Sequence, residues 1–232
     1  MNISISKKYL VIGFILQALN IQSEIFEIKH FHEALKYISP GSIVLIDIDN
    51  TLLEPHDKHN SIGSDQWFTH LTKKNSNKEY ILDLYCTTIL NTHMQAVEPS
   101  IPEVLQSIQQ KAMLLGFTMR SIVLAPCTVE RLADNNIRLS AQIPDKGFMI
   151  NNKDPVLVYH DIIFCQGKKN GETLFTVLDV YNITPLCIIM IDDKRQYLEL
   201  VEKECIKRNT RFVGLRYGYL DEKVTDFLQM HA

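Results

Sequence analysis

Apolar residues in this chain alternate between short solid runs and longer runs at helical spacing. Phe31, Leu35 and Ile38 recur at helical spacing, and Pro40-Gly41 closes that stretch. Next comes Ser42–Leu52, SIVLIDIDNTL, in which Ile43, Val44, Leu45, Ile46 and Ile48 predict a short strand buried on both faces. Two further runs have the same character, Ala112–Phe117 and Leu186–Ile191, and Val156–Phe164 predicts one or two more strands. Helical spacing predicts helices over Pro102–Gln110, over Val129–Asn135 with Thr128 as N-cap, over Glu172–Tyr181 and over Gln196–Arg208. A last strand falls at Arg211–Leu215, and residues 138–155 read as loop.

This alternation predicts an α/β domain, a Rossmann-like three-layer parallel sheet covered by helices. It is interrupted after the first strand. Trp67, Phe68 and Leu71, then Ile81, Leu82, Tyr85, Ile89 and Leu90, suit amphipathic helices with a polar break at Lys73–Lys78. The expected division is a core of residues 24–53 and 111–232 with a helical cap inserted at 54–110.

The first 23 residues carry a different pattern. Lys7 and Lys8 precede Tyr9–Leu19, apolar except for Gly13 and Gln17, and the polar stretch Asn20–Ser23 follows. That order reads as a secretory signal peptide over 1–23, too short to span a bilayer, and predicts an exported, periplasmic or secreted protein with no stable membrane anchor after cleavage. The net charge of −3 and the scattered Lys and Arg offer no basic stripe, so nucleic acid is not an expected partner. The five cysteines, Cys86, Cys127, Cys165, Cys187 and Cys205, follow no metal-ligand spacing. His56 and His59 lack a third and fourth ligand nearby and read as loop residues.

Candidate chemistry gathers where the buried strands stop. Asp47 and Asp49 close the first, Thr118 with Arg120 the second, and Asp192-Asp193 the third, while Lys168 and Lys169 precede a helix. In a parallel sheet these ends share one edge, where ligands bind. Paired carboxylates there suit a hard divalent cation, and a hydroxyl with a cation suits an oxyanion.

The set resembles the haloacid-dehalogenase-like hydrolase superfamily, matched by Asp47, Asp49 and Thr51, by Thr118, by Lys168 or Lys169, and by Asp192 with Asp193. More narrowly, DIDNTL, SDQWF, TMRS, GKKNGETL and IDDKRQYLE resemble a family of exported bacterial proteins known as domain of unknown function 2608. The resemblance implies a magnesium-dependent phosphatase acting on a small phosphorylated substrate. Asp47 is then the nucleophile, Asp49 the acid and base, and Thr118 with Lys169 or Lys168 the phosphoryl holders. Magnesium would be held by Asp47, the carbonyl of Asp49, Asp192 and, more distantly, Asp193. The presence of Asp49 argues against a dehalogenase. One residue departs from the pattern: Asn170 stands where the motif lysine is usual. If the cation were lost, the same fold would serve as an exported binding or host-interaction protein.

Overall fold

The computed structural model describes residues 23–56, 61–140, 143–151 and 153–231; most of the signal segment and His59 lie outside them. The elements run β1 (Ser23–Ile28), β2 (Ile43–Ile46), β3 (Leu53–Pro55), α1 (Asp65–Lys74), α2 (Lys78–Asn91), β4 (Met94–Ala96) and α3 (Ile101–Gln109). There follow β5 (Met113–Thr118), α4 (Ala125–Asp134), β6 (Lys146–Ile150), β7 (Asp154–Tyr159), β8 (Ile162–Phe164) and α5 (Gly171–Val180). The chain closes with β9 (Cys187–Asp192), α6 (Arg195–Lys207), β10 (Arg211–Tyr217) and α7 (Asp221–Met230).

Eight strands form one sheet in the order β1-β10-β9-β2-β5-β8-β7-β6. The six from β1 to β8 pair in parallel, and β7 pairs antiparallel with both β8 and β6. The strands β2, β5 and β9 lie side by side at the centre, which is why their sequences are apolar on both faces. Successive residues feed opposite cores. Val44, Ile46, Leu114, Ile189 and Ile191 pack with α3 and α4. Leu45, Leu115, Phe117, Ile188 and Met190 pack with α5 and α6. The result is a three-layer α/β fold with helices on both faces.

Two helices on the second face touch almost backbone to backbone. A Cβ at Gly171 would sit 2.2 Å from Glu204 Cβ, so the start of α5 against α6 admits only glycine. That contact fixes the helix whose N-terminal lip carries Lys169.

Of the segment 54–110 expected as an insertion, α1 and α2 are carried between β3 and β4, an antiparallel pair separate from the main sheet, and α2 buries Tyr85, Cys86 and Ile89 against the main core. The helix α3 buries Ile101, Val104, Leu105 and Ile108 in that same core. Three local expectations need correction. Phe31–Lys36 is a 3-10 helix, residues 146–150 form a strand within the stretch read as loop, and β1 was not foreseen. The last two failed because edge strands carry polar and exposed residues; β6 reads Lys-Gly-Phe-Met-Ile with only Ile150 buried. All five cysteines are buried and free.

Candidate active site

Parallel pairing of β2 with β5 and β9 brings three strand ends together. Asp47 follows β2, with its N–H donating to Ile191 O at 3.0 Å, Thr118 ends β5, and Asp192 ends β9. Lys169 reaches in from the turn before α5. Its Nζ lies 2.6 Å from Asp47 Oδ1 and 2.6 Å from Asp192 Oδ2, and the side chain is buried. Burial alone would lower the ammonium pKa, but the Asp192 and Asp47 carboxylates outweigh it and hold Lys169 protonated well above its usual range. The rings of Tyr197 and Phe117 flank the amine at 5.1 and 5.9 Å.

The displaced motif lysine has a structural explanation. Asn170 is the N-cap of α5, its Oδ1 accepting from Thr173 N at 2.9 Å, so a lysine there would lack the capping oxygen. The preceding residue takes the inward position. Lys168 does not; it turns outward and pairs with Asp154.

The acidic side of the site is crowded. Burial pushes the Asp192 carboxyl up to about 7, against the pull of Lys169. Burial also raises Asp193 well above the carboxylate range, aided by the charges of Asp192 and Asp47. Asp47, Asp192 and Asp193 each offer an oxygen, all within 4.8 Å of one another. With one ammonium against three carboxylates, two negative charges stay uncompensated when all three ionise. A hard divalent cation with oxygen ligands fits both that donor set and that charge.

The Asp49 carboxylate is outside this group. Arg120 grips it through Nε to Oδ2 at 3.0 Å and Nη2 to Oδ1 at 2.8 Å. Arg120 is buried, and its third branch, Nη1, donates to Thr128 Oγ1 at 2.9 Å. Burial works against this charge, yet Asp49 raises the guanidinium above its ordinary range. Thr128 is therefore not an N-cap: α4 begins at Ala125, and the Thr128 hydroxyl donates back to Leu124 O. Thr118 Oγ1 accepts from Arg120 N at 3.2 Å, placing the hydroxyl beside the two strand ends.

Two residues at the site that sequence reasoning did not assign, Lys194 and Asn50, link it to the helices above it. Lys194 pairs with Asp65 at the start of α1. Asn50, left-handed at φ 58°, donates from Nδ2 to Gln66 Oε1 at 3.1 Å and lies 3.5 Å from Asp193 Oδ2. An Asn directly after a strand-end carboxylate is the residue type that tolerates such a φ, and that was the available signal. A cavity of about 710 Å³ opens over Asp47, Asp49, Thr118 and Lys169, roofed by α1 and α2.

The molecule is thus an α/β protein with a cation-bridged acidic site at the carboxyl edge of its sheet. It belongs to the family described as "Protein of unknown function (DUF2608)", whose pattern matches residues 27–232. A Chlamydia pneumoniae protein named provisionally as an outer membrane protein is 21% identical, covering 91% of this chain and 83% of its own length. A haloacid dehalogenase-like family hydrolase from Streptococcus pneumoniae superposes with a TM-score of 0.43 at 12% identity, covering 82% of this chain and 98% of that one. At that level of similarity the fold description rests on strand order and strand-end placement alone.

Proposed function

We infer that the protein is a magnesium-dependent phosphatase that hydrolyses a small phosphomonoester through a phosphoryl group carried on Asp47. The observation that carries this reading is the Lys169 amine 2.6 Å from Asp47 Oδ1. A cation at that place pairs with the Asp47 carboxylate and can share its charge with an incoming phosphoryl oxygen. Asp47 Oδ2 or Oδ1 attacks phosphorus in line, and the bond to the leaving oxygen breaks as that oxygen takes a proton from Asp49. Water then attacks phosphorus, giving a proton to Asp49 as the bond between Asp47 oxygen and phosphorus breaks, so that inorganic phosphate leaves and the Asp47 carboxylate is restored. Thr118 Oγ1 and Lys169 Nζ steady the phosphoryl oxygens. Magnesium, held by Asp47, Asp192 and Asp193, would supply the positive charge that lets a carboxylate approach an anionic ester. Lys168 has no part in these steps.

Asp49 must exchange its Arg120 contact for the leaving oxygen to act as an acid. That grip favours the second reading, a binding protein that keeps the fold with little turnover. Export fits the reading of residues 1–23 and the name of the Chlamydia relative. No described helix is long and apolar enough to cross a membrane. The test is hydrolysis of a generic aryl phosphate with and without magnesium. The phosphatase requires turnover that depends on the metal; a folded protein that binds magnesium and turns nothing over supports the binding reading.

A further inference from the structure

We propose that the cavity over Asp47 selects phosphate monoesters of aromatic alcohols over those of sugars and other polyols. This rests on the phosphatase reading and names the substrate class for that same site.

The lining changes character with depth. At the floor stand Asp47, Asp49, Thr118, Arg120 and Lys169. Every charge there already has a partner, Lys169 with Asp47 and Arg120 with Asp49. Above the floor the wall is mainly hydrocarbon and ring, from Phe68, Ile81, Tyr85 and Tyr197, interrupted by the paired Asp65 and Lys194. Phe68 and Tyr85 pack with ring centroids 4.7 Å apart and planes inclined by 58°, so they present a fixed aromatic corner.

Of the polar groups of α1 and its C-cap that border the cavity, Asp65 is paired with Lys194 and the others bond to the backbone. Thr69 Oγ1 donates to Asp65 O at 3.0 Å, Thr72 Oγ1 to Thr69 O at 2.8 Å, and Asn75 Oδ1 accepts from Asn77 N at 2.9 Å. Thr72, Asn75, Ser76, Lys78, Gln166 and Gln196 are exposed, which puts them at the mouth rather than the wall. A polyol drawn down to the floor would therefore lose water from its hydroxyls and meet few donors or acceptors in exchange. An aromatic group loses nothing and gains ring contacts. The volume of about 710 Å³ leaves room for such a group beside a phosphate.

The test uses the full chain in magnesium and non-hydrolysable probes, because aryl esters also carry better leaving groups. Binding of benzylphosphonate and methylphosphonate is read from the fluorescence of Trp67, the single tryptophan, which stacks on Tyr85 at 6.3 Å. Benzylphosphonate is expected to bind at least tenfold more tightly, and Phe68→Ala, or the milder Leu82→Ser at the mouth, is expected to shrink that ratio severalfold. Equal affinities, or a ratio that neither variant changes, overturn the proposal. A benzyl preference in a protein that turns over no phosphate ester upholds the aromatic site while removing the phosphatase. Turnover of sugar phosphates without a benzyl preference does the reverse.

Discussion

The guanidinium of Arg120 and the carboxylate of Asp49 face each other fork to fork, joined by two hydrogen bonds of 3.0 and 2.8 Å. Arg120 is almost wholly enclosed, and its side chain is 1% exposed against 18% for Asp49. Removing Asp49 strands a buried cation, which costs more than the pair was worth. Asp49→Ala is expected to lower unfolding stability by about 3 kcal/mol, whereas the double variant Asp49→Ala with Arg120→Leu recovers part of that loss. Urea denaturation of the three proteins checks it; strictly additive losses would show that the pair is not coupled.

In the proposed mechanism Lys169, not Lys168 and not position 170, carries the phosphoryl-binding charge. Lys169→Met is expected to cut kcat by about 10²- to 10³-fold, while Lys168→Met leaves it within about threefold because that residue faces Asp154. Asn170→Lys restores nothing and removes an N-cap at a cost of about 1 kcal/mol. Steady-state kinetics and melting curves on these variants separate the alternatives. Equal effects at 168 and 169 would sink the assignment.

Magnesium is expected to stabilise the fold, by about 2.7 kcal/mol at roughly a hundredfold excess over Kd. Its ligands must be ionised, and burial has pushed Asp192 up to about 7. Without metal, the folded chain retains a proton there that the unfolded chain, with its ordinary carboxyl pKa, has lost; this contribution to stability is present at low pH and is lost as pH rises toward about 7. The rise in Tm on adding magnesium should therefore be larger at about pH 8 than at about pH 6. Asp193→Asn should diminish it at both. A metal effect independent of pH contradicts the ligand set.

The roof is tied to the floor through Lys194 and Asp65. Lys194→Ala is expected to raise KM more than it lowers kcat, because it loosens the helices over the cavity without touching the nucleophile. Kinetics with an aryl phosphate read the split; an equal fall in both kcat and kcat/KM would give Lys194 a role in the chemical step instead.

The central strands were legible because β2, β5 and β9 are buried on both faces and read as solid apolar runs, and the site was legible because its side chains sit directly where those runs end. The inward lysine could be narrowed to two neighbours, and the capping role of Asn170 decides between them. What sequence could not supply was pairing across distance. Arg120 meets Asp49 across 71 positions, and Asp65 meets Lys194 only because the roof folds over the sheet edge. Edge strands β1 and β6 were invisible for the opposite reason: with one side exposed, their residues follow no buried run.

The most direct test of Asp47 as nucleophile is to quench the protein in acid during turnover of an aryl phosphate with magnesium and to search its peptides by mass spectrometry. A phosphoryl adduct on Asp47, absent without substrate and absent in Asp47→Asn together with turnover, is the predicted result. Turnover that persists in Asp47→Asn, or an adduct on another residue, contradicts the account.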